Sequence, residues 1–236
     1  MLVAAAVCPC PPLLVPEVAA GAVSELDAAR AACSDALGVL AASRPDRLIV
    51  VGPAEQEGRG PHPQGATGSF QGFGVDVRVR LGTAAGTPER QLPQSLAVAA
   101  WLLEHAHWSA APVEGLGVGE PLTTERCLQV GRDLAAQAER VALLVMGDGS
   151  ACRSVKAPGY LDERAAGFDA EAARALGEAD VAALTAIDAH LAYELKAAGR
   201  APWQVLAGAA EGAALAGQLL YEDAPYGVAY IVAAWS

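Results

Sequence analysis

Two short stretches of this sequence place residues capable of chemistry directly after a run of apolar residues. The first is Cys8-Pro-Cys10-Pro-Pro, which follows the apolar residues 2–7. The second, Gly-Asp-Gly-Ser-Ala-Cys at residues 147–152, follows VALLVM at 141–146. In α/β sheets, ligands bind in the crevice at the carboxyl ends of the strands, so residues just past a buried strand are the first place to look for a site. Asp148 and Cys152 are the candidate catalytic groups of the second stretch, with Gly147 and Ser150 lining a pocket. The competing reading is a tight turn, with glycine in a left-handed conformation and Asp148 bonding local amides. The G-x-G start lacks the third glycine of a dinucleotide loop and the lysine of a P-loop, and no G-x-S-x-G elbow occurs. In the first stretch two thiolates could hold a soft metal, and a single thiol could act as a nucleophile if a base or a positive field lowered its pKa. Buried, inert cysteines are the third possibility.

The four histidines form no close metal pair on one helical face. His105 and His107 fall at a predicted helix end, where a donor side chain meets unpaired carbonyls. His190 sits in an Ala-rich helical stretch as a surface or packing residue. His62 lies in the Gly/Pro-rich segment 58–74, which reads as a mobile loop from which the imidazole could reach a pocket or simply face solvent.

The elements that must position these groups alternate between short β-like runs and longer helical ones. Residues 2–7, 48–51 and 141–146 are apolar on both faces, as strands covered by helices on each side must be. Residues 74–81 (GVDVRVRL) alternate instead and predict a half-exposed strand at an edge or in a hairpin. Residues 217–221 and 227–235, around Pro225, predict two terminal strands joined by a turn. Helices are expected over 24–42 with Ser24 as cap, over 92–106 and over 124–138. Three more are expected from residue 169 onward, with Asp169 and Asp180 capping the first two and the third over 202–212. The expected fold is one α/β domain over residues 1–236, with a mixed, mostly buried central sheet flanked by helices.

Composition sets the outer limits. A 53% hydrophobic content supplies a core, while a formal net charge of −11 with no basic run argues against nucleic acid as a partner. No stretch approaches the roughly 20 apolar residues of a membrane span, and no cationic segment precedes the apolar start. Five scattered cysteines without zinc spacing predict reduced thiols and a cytoplasmic location.

Taken in order, several segments are similar to one family. CPCPPLLVPEV at 8–18 resembles the first-strand motif of LigB-like class III extradiol dioxygenases, P-H-P-P-L-L-V-P-E. VVGPAE at 50–55 stands where that family carries a strand ending in S/T-P-H, and MGDGSAC at 146–152 resembles its G-D-L-S-H. PGYLDERAAGFD at 158–169 and YEDAPYGVAY at 221–230 resemble the segments that follow. The resemblance implies a non-haem Fe(II) held by two histidines and a glutamate, the 2-His-1-carboxylate arrangement that leaves one face open, and a further histidine as acid/base. Mapped residue by residue, the ligand positions fall at Cys10, Ala54 and Glu222, and the acid/base position falls at Ala151 beside Cys152. Only the glutamate matches.

These substitutions lead to an expectation of a divergent dioxygenase-like protein that acts on or binds a small aromatic molecule. Cys10 and Glu222 are its candidate metal ligands, with Glu55 as a possible third, and Cys10, Pro53, Glu55, His62, Gly147 and Ser150 its expected pocket residues. The alternative is a non-catalytic small-molecule-binding protein or partner subunit that keeps the fold. A third reading, ordinary ring cleavage, requires His62 or another histidine to fold into the site. The resemblance also implies a homo-oligomer.

Overall fold

The computed structural model describes residues 1–83 and 90–236. Its strands are β1 (Leu2–Cys8), β2 (Arg47–Pro53), β3 (Gly60–His62), β4 (Thr67–Ser69), β5 (Arg78–Arg80), β6 (Val113–Val118), β7 (Val141–Met146), β8 (Gly217–Asp223) and β9 (Tyr230–Trp235). The helices are α1 (Pro16–Ala19), α2 (Asp27–Ala42), α3 (Gln94–His105), α4 (Thr124–Ala135), α5 (Ala165–Gly177), α6 (Val181–Thr185), α7 (Ala189–Glu194) and α8 (Arg200–Ala209).

Seven strands form one sheet in the order β3-β6-β2-β7-β1-β9-β8. The inner four, β6, β2, β7 and β1, run parallel; β3 closes one edge antiparallel, and β9 with β8 closes the other. The mixed, mostly buried sheet expected from the apolar runs is therefore present. The parallel strands are buried because side chains alternate between two helical layers. Ala4, Ala6 and Cys8 of β1, Leu48 and Val50 of β2, and Leu144 and Met146 of β7 pack with α2 and α3. Ala5, Val7, Ile49, Val51, Leu143 and Val145 face α4, α5 and α8.

Several sequence expectations are corrected. Ser24 does not cap a helix: it lies in a 3₁₀ turn over Ala20–Leu26, and α2 begins at Asp27. Asp169 is no cap either; it sits inside α5, wholly buried. Asp180 does cap, accepting from the Ala183 amide. Segment 58–74 is not simply a loop, since it supplies β3 and β4 and buries His62, Ala66 and Phe70. The alternating stretch 74–81 narrows to β5, paired with β4 in a separate two-stranded sheet.

Strand β6 was hidden by its glycines. A Cβ on Gly117 would lie 2.1 Å from the Gly58 carbonyl oxygen, and one on Gly115 would lie 3.0 Å from Leu81 and Leu96 side-chain atoms. Glycine is used there for close approach, which brings segment 54–61 down onto the sheet.

Candidate functional site

Three parallel strands deliver their carboxyl ends to one cavity. Cys10 arrives just past β1, Pro53 and Ala54 at the end of β2, and Asp148 two residues beyond β7, the strand between them. The fourth side is the start of α3, with Leu92, Pro93 and Ser95, and the cavity encloses about 560 Å³. The Ser95 hydroxyl donates to the Pro53 carbonyl at 2.7 Å, and a Cβ on Gly52 would sit 2.6 Å from that hydroxyl. Close packing of β2 against α3 thus sets the width of the cavity. At the rim, Arg90 donates to the carbonyl oxygens of Glu57, Arg59 and Pro61, clamping the wall that carries Glu55 and Glu57.

Asp148 is the polar centre. One carboxylate oxygen accepts the Cys10 backbone amide at 2.8 Å; the other receives only a long 3.8 Å contact from the Cys10 thiol. Burial raises the Asp148 pKa to about 6, against the two bonds from Cys10 that favour the charged form. Burial, together with the neighbouring Asp148 charge, pushes the Cys10 thiol well above its usual range. At neutral pH the pair is therefore a carboxylate beside a protonated thiol, which disfavours Cys10 both as a thiolate ligand and as a nucleophile. Tyr230, buried at the start of β9, has its phenol pushed well above the usual range by burial and by the Asp148 charge.

The loop carrying Asp148 is held from several sides. Gly147 and Gly149 are not among the glycines with positive φ, so the left-handed turn expected there is absent. They are needed for space: a Cβ on Gly147 would lie 2.5 Å from the Gly199 Cα, and one on Gly149 would lie 2.7 Å from Asp169 Oδ1. Asp148 does not bond local amides; its partner is 138 residues away in sequence. Ser150, fully buried, donates its amide and hydroxyl to Asp169 at 2.7 and 2.6 Å. Arg153 adds a 3.2 Å ion pair to the same carboxylate.

The residues expected at the site therefore divide. Cys10, Pro53, Glu55 and Asp148 line the cavity together. Gly147 and Ser150 support its floor from behind without lining it. Cys152 is 2% exposed, packs with Ala165 and Leu195, and directs its thiol to the Leu195 carbonyl, away from the cavity lining. His62 is neither a solvated loop residue nor part of the lining. Its Nε2 meets the Gly58 carbonyl oxygen at 2.8 Å while Nδ1 is buried without a partner, and burial lowers its pKa. Glu222 is exposed on β8, opposite Ile231, and does not line the cavity. Arg90, Ser95, Asp169 and Tyr230 were not singled out as site residues from the sequence, because each acts on the site from another element of the fold.

These positions do not fit the Fe(II) set implied by the family resemblance. Ala54 has no donor atom, Glu222 lies elsewhere, and among the described residues no three His, Cys, Asp or Glu side chains converge as a metal site would require. The altered set Cys10, Glu55 and Glu222 fails on the same geometry.

No family model matches the sequence, and no curated protein matches it. Among solved structures, the chain is similar to the uncharacterized protein JW3007 from Escherichia coli K12, with a TM-score of 0.60 and 14% identity, covering 99% of each chain. At that identity the likeness establishes a shared fold over the whole chain. No helix among the described residues is long and apolar enough to cross a membrane.

Proposed function

We propose that this chain is a divergent LigB-like protein that binds a small aromatic molecule in the Asp148 cavity without iron-dependent ring opening. The observation that carries this reading is the half-satisfied Asp148 carboxylate on a residue that lines the cavity. An ionised group kept partly buried with spare acceptor capacity costs stability unless a donor meets it. Pro53, Ala54, Leu92 and Pro93 supply apolar walls around that acceptor, the pattern of a pocket that grips a ring and orients it by one polar contact. A phenolic hydroxyl or an aromatic amine meets both demands.

Binding of phenols and anilines, catechol and protocatechuate included, is the direct test, by ligand-observed NMR and calorimetry. Asp148→Asn is expected to weaken binding about tenfold or more, since a charge-assisted hydrogen bond contributes about 1.5–3 kcal/mol. Binding to the native protein should also fall as pH drops through about 6 and Asp148 takes up its proton. Equal affinity of native and Asp148→Asn protein, or no binding across the panel, would overturn the proposal.

The same substitution carries a stability signature of opposite sign. Because Asp148 has a folded-state pKa of about 6, above the 3.8 of a free carboxyl, the native state binds the proton more tightly than the unfolded chain. Stability therefore decreases as pH rises through the interval between the two values, and the group is destabilising above it. Asp148→Asn is expected to raise stability at pH 7.5 by on the order of 1–3 kcal/mol and to flatten this part of the pH profile. Urea denaturation at several pH values measures both. A residue whose removal stabilises the fold while weakening binding is one retained for the ligand.

A further inference from the structure

We infer that the Asp148 cavity falls short of a divalent-metal site by two side chains, those of Cys10 and Ala54, with Asp148 rather than Glu222 standing as its carboxylate. The three residues leave adjacent parallel strands β1, β2 and β7 at the same end of the sheet and line the same cavity. Asp148, just past the middle strand, is already tied to the Cys10 backbone at 2.8 Å. A facial metal site takes one donor from each of three such positions and leaves the opposite side open to solvent or ligand. In this chain the β2 position carries only a methyl group. The β1 position carries a thiol engaged with Asp148 at 3.8 Å where such a site takes a nitrogen donor, and among the described residues no third donor joins the pair.

Among the described residues nothing else nearby makes up the deficit. Glu55 and Glu57 stand exposed on the rim, and the imidazole of His62 is turned to the Gly58 carbonyl behind the wall. Glu222 is exposed on β8 and outside the cavity. The shape for a three-donor site is present and, among the described residues, the donors are not. This holds whether or not the cavity takes an aromatic ligand, because it concerns only which side chains face it.

Cobalt(II) titration, read by visible absorption and by metal content after dialysis, tests the inference without any activity assay. Native protein is expected to retain no stoichiometric cobalt. Cys10→His combined with Ala54→His is expected to hold about one equivalent, with a ligand-field spectrum that disappears when Asp148→Asn is added. Stoichiometric cobalt in the native protein, lost in Asp148→Asn, would overturn the inference. So would a double variant that melts like the native protein yet takes up no cobalt, because the three positions would then not face one point. If the two histidines prevent folding, Cys10→Asp with Ala54→His presents the same number of donors in less volume and is read in the same way. The native arm needs no variant.

Discussion

Replacing Gly208 by valine is expected to cost about 4 kcal/mol or more, enough to unfold most of the protein at 37 °C. A Cβ at Gly208 would lie 2.2 Å from the Leu128 carbonyl oxygen and 2.6 Å from its Cα. On the facing helix, a Cβ at Gly131 would lie 2.0 Å from the Val205 carbonyl oxygen. Helices α4 and α8 thus meet backbone to backbone at two reciprocal glycines, and neither neighbouring atom belongs to a side chain that could rotate away. All ten residues of α8 are buried, so the helix cannot shift outward without opening the core on that face of the sheet. The damage would reach the site: the Gly199 amide, just before α8, donates to the Asp148 carbonyl at 2.8 Å. Gly208→Ala should show the same loss at smaller size. Gly38→Ala is the internal control, since nothing lies within 4 Å of a Cβ there in the exposed middle of α2. It is expected to stabilise by about 0.5–1 kcal/mol. Thermal and urea melts of the three variants measure the contrast, and a Gly208→Val protein within about 1 kcal/mol of native would refute the packing argument.

That interface also marks where the sequence stops being informative. Strands β1, β2 and β7 are legible because a strand buried on both faces must be apolar at every position, and a short unbroken run announces it. The terminal hairpin is legible from two β-like runs around the turn at Pro225, although only β9 is buried on both faces. Strand β6 is not, because Gly115 and Gly117 answer to atoms of residues 58 and 81, and no local periodicity encodes that demand. The site divides along the same line. Cys10, Pro53, Glu55 and Asp148 were found because strand ends in a parallel sheet converge by topology alone. Cys152 and Ser150 fall outside the lining because, past the end of a strand, the alternation that assigns a face no longer operates. His62 does so because it ends the short edge strand β3, which no local pattern announces. Which way each points is decided by a partner far along the chain: Leu195 for Cys152, Asp169 for Ser150, Gly58 on a tightly packed wall for His62. Glu222 matched a family motif by residue type, yet it lies on the outermost strand of the sheet, exposed. A residue identity transferred by motif says nothing about convergence, and convergence is what a metal or a ligand requires.

The clearest case of a distant partner setting the site is Asp169, and its removal carries the second large effect. Asp169→Ala is expected to destabilise by about 3–5 kcal/mol, because it strips the partner from three donors at once: the Ser150 amide, the Ser150 hydroxyl and the Arg153 guanidinium. The carboxylate has no exposed surface, so water cannot substitute for it without opening the loop. Asp169→Asn should lose less, since its amide oxygen can still accept from Ser150 while its amide nitrogen opposes Arg153. Adding Ser150→Ala to Asp169→Ala should recover part of the loss, because it removes one of the orphaned donors; that non-additivity is the signature of a shared network. The loop from Gly147 to Arg153 is otherwise held by backbone bonds to Ala229, Leu195 and Gly227, so it should loosen without detaching. Amide exchange at Ser150 and Ala151 would accelerate more than exchange in β7, and ligand affinity would fall with it, since Asp148 lies on the same segment. If Asp169→Ala melts within about 1 kcal/mol of the native protein and leaves exchange at Ser150 unchanged, the buried carboxylate does not anchor the site. Its place inside α5 would then have to be explained by the helix alone, where an unsolvated aspartate has no evident use.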